Sequence, residues 1–115
     1  MSTISFDDVG QDLRRIMISG QLDAPGAKAI ASQLLEFASG PKKAVVVDLS
    51  GVDYVNGAAL REFEKAAARL SETNIELLVC GLKPAVQAAF DLAGAIPNLA
   101  VVESRAAALG RCERG

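Results

Sequence analysis

Asp48 stands near the end of the apolar run Ala44-Val45-Val46-Val47-Asp48-Leu49, a carboxylate at a strand end, where α/β folds build their sites. To act in general acid–base or metal chemistry it would need a second acid, a base or a cluster of ligands. The sequence offers none. It has no histidine, which removes Ser-His-Asp and Cys-His catalysis, His-ligated metals and His proton shuttles together. Asp48 is therefore expected to hydrogen-bond the backbone of the adjacent loop, and Asp53 to be a solvated loop acid. Cys80 ends Leu77-Leu78-Val79 and reads as a buried, inert thiol, whereas Cys112 lies in the polar stretch Gly110-Arg111-Cys112-Glu113-Arg114. No G-x-G-x-x-G or G-x-x-x-x-G-K-[ST] phosphate cradle occurs. With no Trp, one Tyr and four Phe, an aromatic cage or base-stacking platform is not expected. The chain reads as a non-enzyme with no catalytic residue, no metal site and no cofactor.

The remaining candidates are helix starts. Asp23 precedes Ala24-Pro25 and is placed to cap a helix, with Pro25 in the first turn. Asn56-Gly57 has a purely structural reading, an Asn cap followed by a glycine that suits a tight turn.

These positions must be held by a single domain, since the chain has 115 residues, 50% of them hydrophobic. A net charge of −2 with 23% charged residues argues against nucleic-acid binding. The start, Met1-Ser2-Thr3-Ile4-Ser5-Phe6-Asp7-Asp8, has no basic segment followed by an apolar stretch, and no run approaches the ~18 apolar residues of a membrane span. A cytoplasmic protein without direct membrane insertion is expected.

Ile4 and Phe6 alternate with polar residues in a first strand, Gly10-Gln11-Asp12 turns the chain, and a second strand runs from Leu13 to Ser19 with Ile16 and Ile18 on one face. Ala27, Ile30, Leu34 and Phe37 recur at helical spacing up to Gly40-Pro41. Ala44 to Leu49 is expected to be a strand covered on both faces, and Ser50 to Gly57 a loop. A second helix turns Leu60, Phe63, Ala67 and Leu70 inward, with Arg61, Glu62, Glu64, Lys65 and Arg69 outward. Ile75 to Cys80 is a strand. Pro84 opens a helix with Val86, Ala89, Phe90 and Ala93 inward and Gly94 at its end, where Lys83 is a poor cap. Leu99 to Val102 is a short strand and Ser104 to Leu109 a short last helix. The fold class is α/β in the order ββαβαβαβα, a mostly parallel sheet with one antiparallel hairpin strand. The domain spans 4–109, followed by a flexible tail at 110–115.

Three segments in this order resemble the STAS family of bacterial anti-sigma-factor antagonists, in its SpoIIAA-like form. They are Ile18-Ser19-Gly20-Gln21-Leu22-Asp23, similar to the family's exit from its second strand; Val45-Val46-Val47-Asp48-Leu49-Ser50-Gly51-Val52-Asp53-Tyr54-Val55; and Gly81-Leu82-Lys83-Pro84-Ala85-Val86 with Phe90-Asp91-Leu92-Ala93-Gly94. The resemblance covers residues 4 to 109. It departs from the family at one place. Where antagonists carry D-S-[ST]-G-L, with the first Ser or Thr as the acceptor of a kinase's phosphoryl group, this chain reads Asn56-Gly57-Ala58-Ala59-Leu60. Gly57 is thus a degenerate phosphoacceptor position, and no Ser or Thr occurs from Gly51 to Leu70. Phosphoryl transfer needs a hydroxyl oxygen, which glycine lacks.

The resemblance implies a non-catalytic, protein-binding domain. The leading expectation is an antagonist-like partner-switching protein of transcription regulation that cannot be phosphorylated at this site. It would bind a GHKL-type anti-sigma kinase through Asp23, Asn56, Gly57, Ala58 and Arg61, as a monomer or weak homodimer. The alternatives are a cytoplasmic STAS subunit of an ABC-type phospholipid transporter, bound to its ATPase or permease, and a scaffold without a switch.

Overall fold

Ala44, Val45, Val46 and Val47 are all buried, which only a strand inside a sheet with both faces covered achieves. The computed structural model describes residues 3–9, 11–38, 44–94 and 96–102. In chain order these form β1 (Thr3–Asp8), β2 (Leu13–Leu22), α1 (Ala24–Ala38), β3 (Ala44–Val55), α2 (Gly57–Ser71), β4 (Glu76–Cys80), α3 (Pro84–Ala93) and β5 (Leu99–Val101). The five strands make one sheet in the order β1-β2-β3-β4-β5. β1 pairs antiparallel with β2, and the other three pairings are parallel. This is the α/β architecture expected from the element order. The expected turn residue Gly10, the Gly40-Pro41 stop, the Ile30 side chain, the helix at 104–109 and the tail with Cys112 lie outside the described residues.

Strand alternation divides the core. Ile16, Ile18, Val45, Val47, Leu49, Leu77 and Val79 join the inward residues of all three helices in one cluster. The alternate positions Leu13, Ala44, Val46, Leu78 and Cys80 form a smaller cluster. The edge strand β1 is fixed by charge pairs across the ladder, Arg15 gripping Asp7 with two nitrogens at 2.9 and 2.5 Å and Arg14 reaching Asp8 at 2.8 Å.

Three details depart from the sequence reading. Ser50 to Val55 is strand, not loop, because β2 also continues past Ser19 and the two extensions pair in parallel through Ser19–Gly51, Gly20–Val52, Gln21–Tyr54 and Leu22–Val55. Two register irregularities in the β2–β3 pairing, each with an extra residue on β3, accommodate this extension, and Val52 and Val55 anchor it in the core. Leu60 is only half-buried; Ala59 and Ala66 join Phe63, Ala67 and Leu70 on the buried face of α2. On α3, Val86 and Phe90 are buried but Ala93 is exposed, since the helix touches the body along a narrow stripe one turn apart. Among the described residues, no helix is long and apolar enough to cross a membrane.

Candidate partner-docking site

The extra length of β2 and β3 decides where the candidate site sits. Leu22 and Val55 are partners in the ladder, and the next amide, Asn56 N–H, donates to the Leu22 carbonyl at 3.0 Å. Asp23 and Asn56 are thereby set side by side, each at the start of a helix. Asp23 Oδ1 accepts the Gly26 N–H at 2.8 Å while its carbonyl accepts the Ala27 N–H. Asn56, in extended conformation, accepts the Ala59 N–H on Oδ1 at 3.0 Å, and its carbonyl takes the Leu60 N–H. Both residues are N-caps, each satisfying a donor that the first turn cannot pair internally. Asn56→Ala is expected to cost about 1 kcal/mol of stability, measured by urea unfolding, with Asn56→Asp close to neutral.

Gly57 is the first residue of α2 and is exposed. The tight-turn reading of this glycine does not hold. Its φ is not among the positive values, which belong to Gly20, Gly81 and Gly94. A Cβ built at Gly57 meets no atom within 4 Å. Neither backbone nor packing requires glycine, so a larger residue fits without rearrangement. Ala58 is half-buried, and Arg61, one turn further, is exposed and in no ion pair among the described residues. The first turn of α2 holds no acidic residue of its own at the positive end of the helix. The structure thus brings Asp23 and Asn56 together and continues from Asn56 along α2 through Gly57, Ala58 and Arg61.

Further back along β3, Asp48 behaves as expected. Its Oδ1 accepts the Ser50 N–H at 2.9 Å. Here a glycine is required. Gly81 has φ +71°, and a Cβ on it would lie 2.8 Å from Asp48 Oδ1 and 3.1 Å from the Ser50 nitrogen. Gly81→Ala combines left-handed strain with displacement of the Asp48 carboxylate, an expected loss of about 2–4 kcal/mol by chemical denaturation.

Two residues carry a contact the sequence reading missed. Asp53 is on β3 and pairs with Lys83 Nζ at 2.5 Å, so it is not simply a solvated acid. Lys83 makes no side-chain cap bond to α3, and this pairing accounts for its presence there. Its partner is distant in sequence, so no local pattern announces it. Leu92, 90% exposed on α3, was also passed over. Its signal was available, because it falls off the stripe of Val86 and Phe90.

Residues 8–108 match the model of the STAS domain family. Over 91 residues the chain is 31% identical to BtrV of Bordetella bronchiseptica, provisionally named an anti-sigma factor antagonist, covering 79% of this chain and 78% of that protein. The fold is shared with the anti-sigma factor antagonist SpoIIAA in its unphosphorylated form, with a TM-score of 0.78, 13% identity and 98% of each chain covered. It is shared equally with a portion of the murine anion transporter Slc26a9, with a TM-score of 0.80 and 9% identity over 99% of this chain and 22% of that one.

Proposed function

From the premise that this chain belongs to the STAS domain family, we propose that it is an anti-sigma-factor antagonist whose docking tip works without a phosphorylation switch. The partner is an anti-sigma kinase of the GHKL type. It is bound, with no catalysis by this chain, at Asp23, Asn56, Gly57, Ala58 and Arg61. One observation carries the reading: the start of α2 is exposed, capped and sterically open, yet its first residue has no hydroxyl. A partner's carboxylate can meet the start of α2 and Arg61 there. In a switching antagonist, a phosphate of about −1.5 to −2 charges on that residue would desolvate badly in the contact and break it. Gly57 cannot receive one, so the contact stays permanently permitted.

A second reading is a STAS subunit regulating a transporter of the ABC type, and the occurrence of this fold within the anion transporter Slc26a9 is compatible with it. Affinity purification of the tagged chain from its own host, with mass spectrometry of what it retains, separates the two. Recovery of a GHKL-type kinase is the expected result. Recovery of a permease with its ATPase would replace the first reading by the second, and recovery of neither would defeat both.

A further inference from the structure

An open groove of about 470 Å³ runs between α2 and α3. Leu60, Ala89, Leu92, Ala93 and Ile96 supply its apolar surface, and Gly57, Arg61 and Glu64 lie along its α2 side. Leu92 is 90% exposed, which leaves a whole leucine side chain in water beside other apolar surface. Arg61 and Glu64 are both exposed, and neither is in an ion pair among the described residues; on the same helix the pair is Lys65 with Glu62.

We propose that this face binds a second copy of the chain, α2 lying antiparallel on α2 about a two-fold axis. The reason is the order of charge along the groove. Arg61 and Glu64 are three residues apart, about 4.5 Å along the helix. An antiparallel two-fold contact centred between them sets Arg61 of each copy opposite Glu64 of the other, so the surface is complementary to itself. The same contact brings the two Leu92 side chains out of water against the facing grooves. A partner of uniform charge would satisfy only one of the two residues. Exposed ion pairs contribute little affinity, so the apolar groove holds the dimer while the charges fix its orientation. Where the proposed function holds, self-association also covers Gly57 and Arg61, and it competes with the partner in the place of the missing phosphate.

The test is sedimentation equilibrium of the full chain alone over a wide concentration range, so no anti-sigma partner enters its outcome. The wild type is expected to dimerise. Leu92→Glu is expected to weaken the dimer by about tenfold or more, with unchanged circular dichroism because the residue is exposed. Arg61→Glu and Glu64→Arg should each weaken it by placing like charges opposite, and the double substitution should restore it. A chain monomeric at every concentration overturns the proposal, as does a dimer indifferent to Leu92→Glu or a double swap that fails to rescue.

Discussion

Gly57→Asp is expected to lower affinity for the anti-sigma partner by about a hundredfold or more while leaving the fold at least as stable. The two halves come from the same place. A carboxylate at the first position of α2 meets the positive end of the helix, worth about 0.3–1 kcal/mol in favour of folding, and replacing a helical glycine adds to that gain. The open space around Gly57 means no side chain must move. In the complex, the same carboxylate takes up the helix start and the Arg61 guanidinium that the partner would use and repels the partner's own acid, a cost of about 2–5 kcal/mol. Titration calorimetry and thermal unfolding on one preparation separate the effects, and a destabilised variant or an unchanged affinity would count against the docking tip. The complementary change is Gly57→Ser with Asn56→Asp, which keeps the cap and supplies a hydroxyl. With the kinase and ATP this variant is expected to become phosphorylated and to release its partner, whereas wild type incorporates no phosphate at this position.

The largest effect on stability is expected from Phe63→Ala, a loss of about 3–5 kcal/mol. Phe63 is 2% exposed, and its ring centroid lies 6.1 Å from that of Phe90, so it joins α2 to α3 as well as to the sheet. Truncation leaves a void that the surrounding buried side chains fill only in part. Against a total stability of about 5–15 kcal/mol for a domain, this is a substantial share. Denaturant unfolding should show a lower midpoint with an unchanged slope. Because α2 carries Asn56 to Arg61 at its start, weaker partner binding should follow only where the variant is measurably unfolded.

The elements whose identity depends on local chemistry were legible in the sequence. Val45 to Val47 announce a covered strand, and Asp23 and Asn56 announce helix starts; the structure gives each cap its bond. What local chemistry misses is pairing at a distance. Ser50-Gly51-Val52-Asp53-Tyr54 has the composition of a loop, and it is strand only because Ser19 to Leu22 continue beside it. That extension sets Asp23 next to Asn56, an adjacency that the resemblance implied and local chemistry alone did not show. Lys83 was unexplained for the same reason, its partner Asp53 coming from another strand. Gly57 misled in the opposite direction. Glycine's preference for turns favours a conformational explanation, and an ordinary helical start removes it.

The central claim is that this tip binds its partner and is never switched off by phosphate. Its most direct test is calorimetric affinity of the purified wild-type chain for the host's anti-sigma kinase, before and after prolonged incubation with ATP and magnesium, with mass spectrometry of the recovered chain. The expected result is the same affinity in both states and an unchanged mass. Absence of binding, or release accompanied by the gain of a phosphoryl group, would contradict the claim.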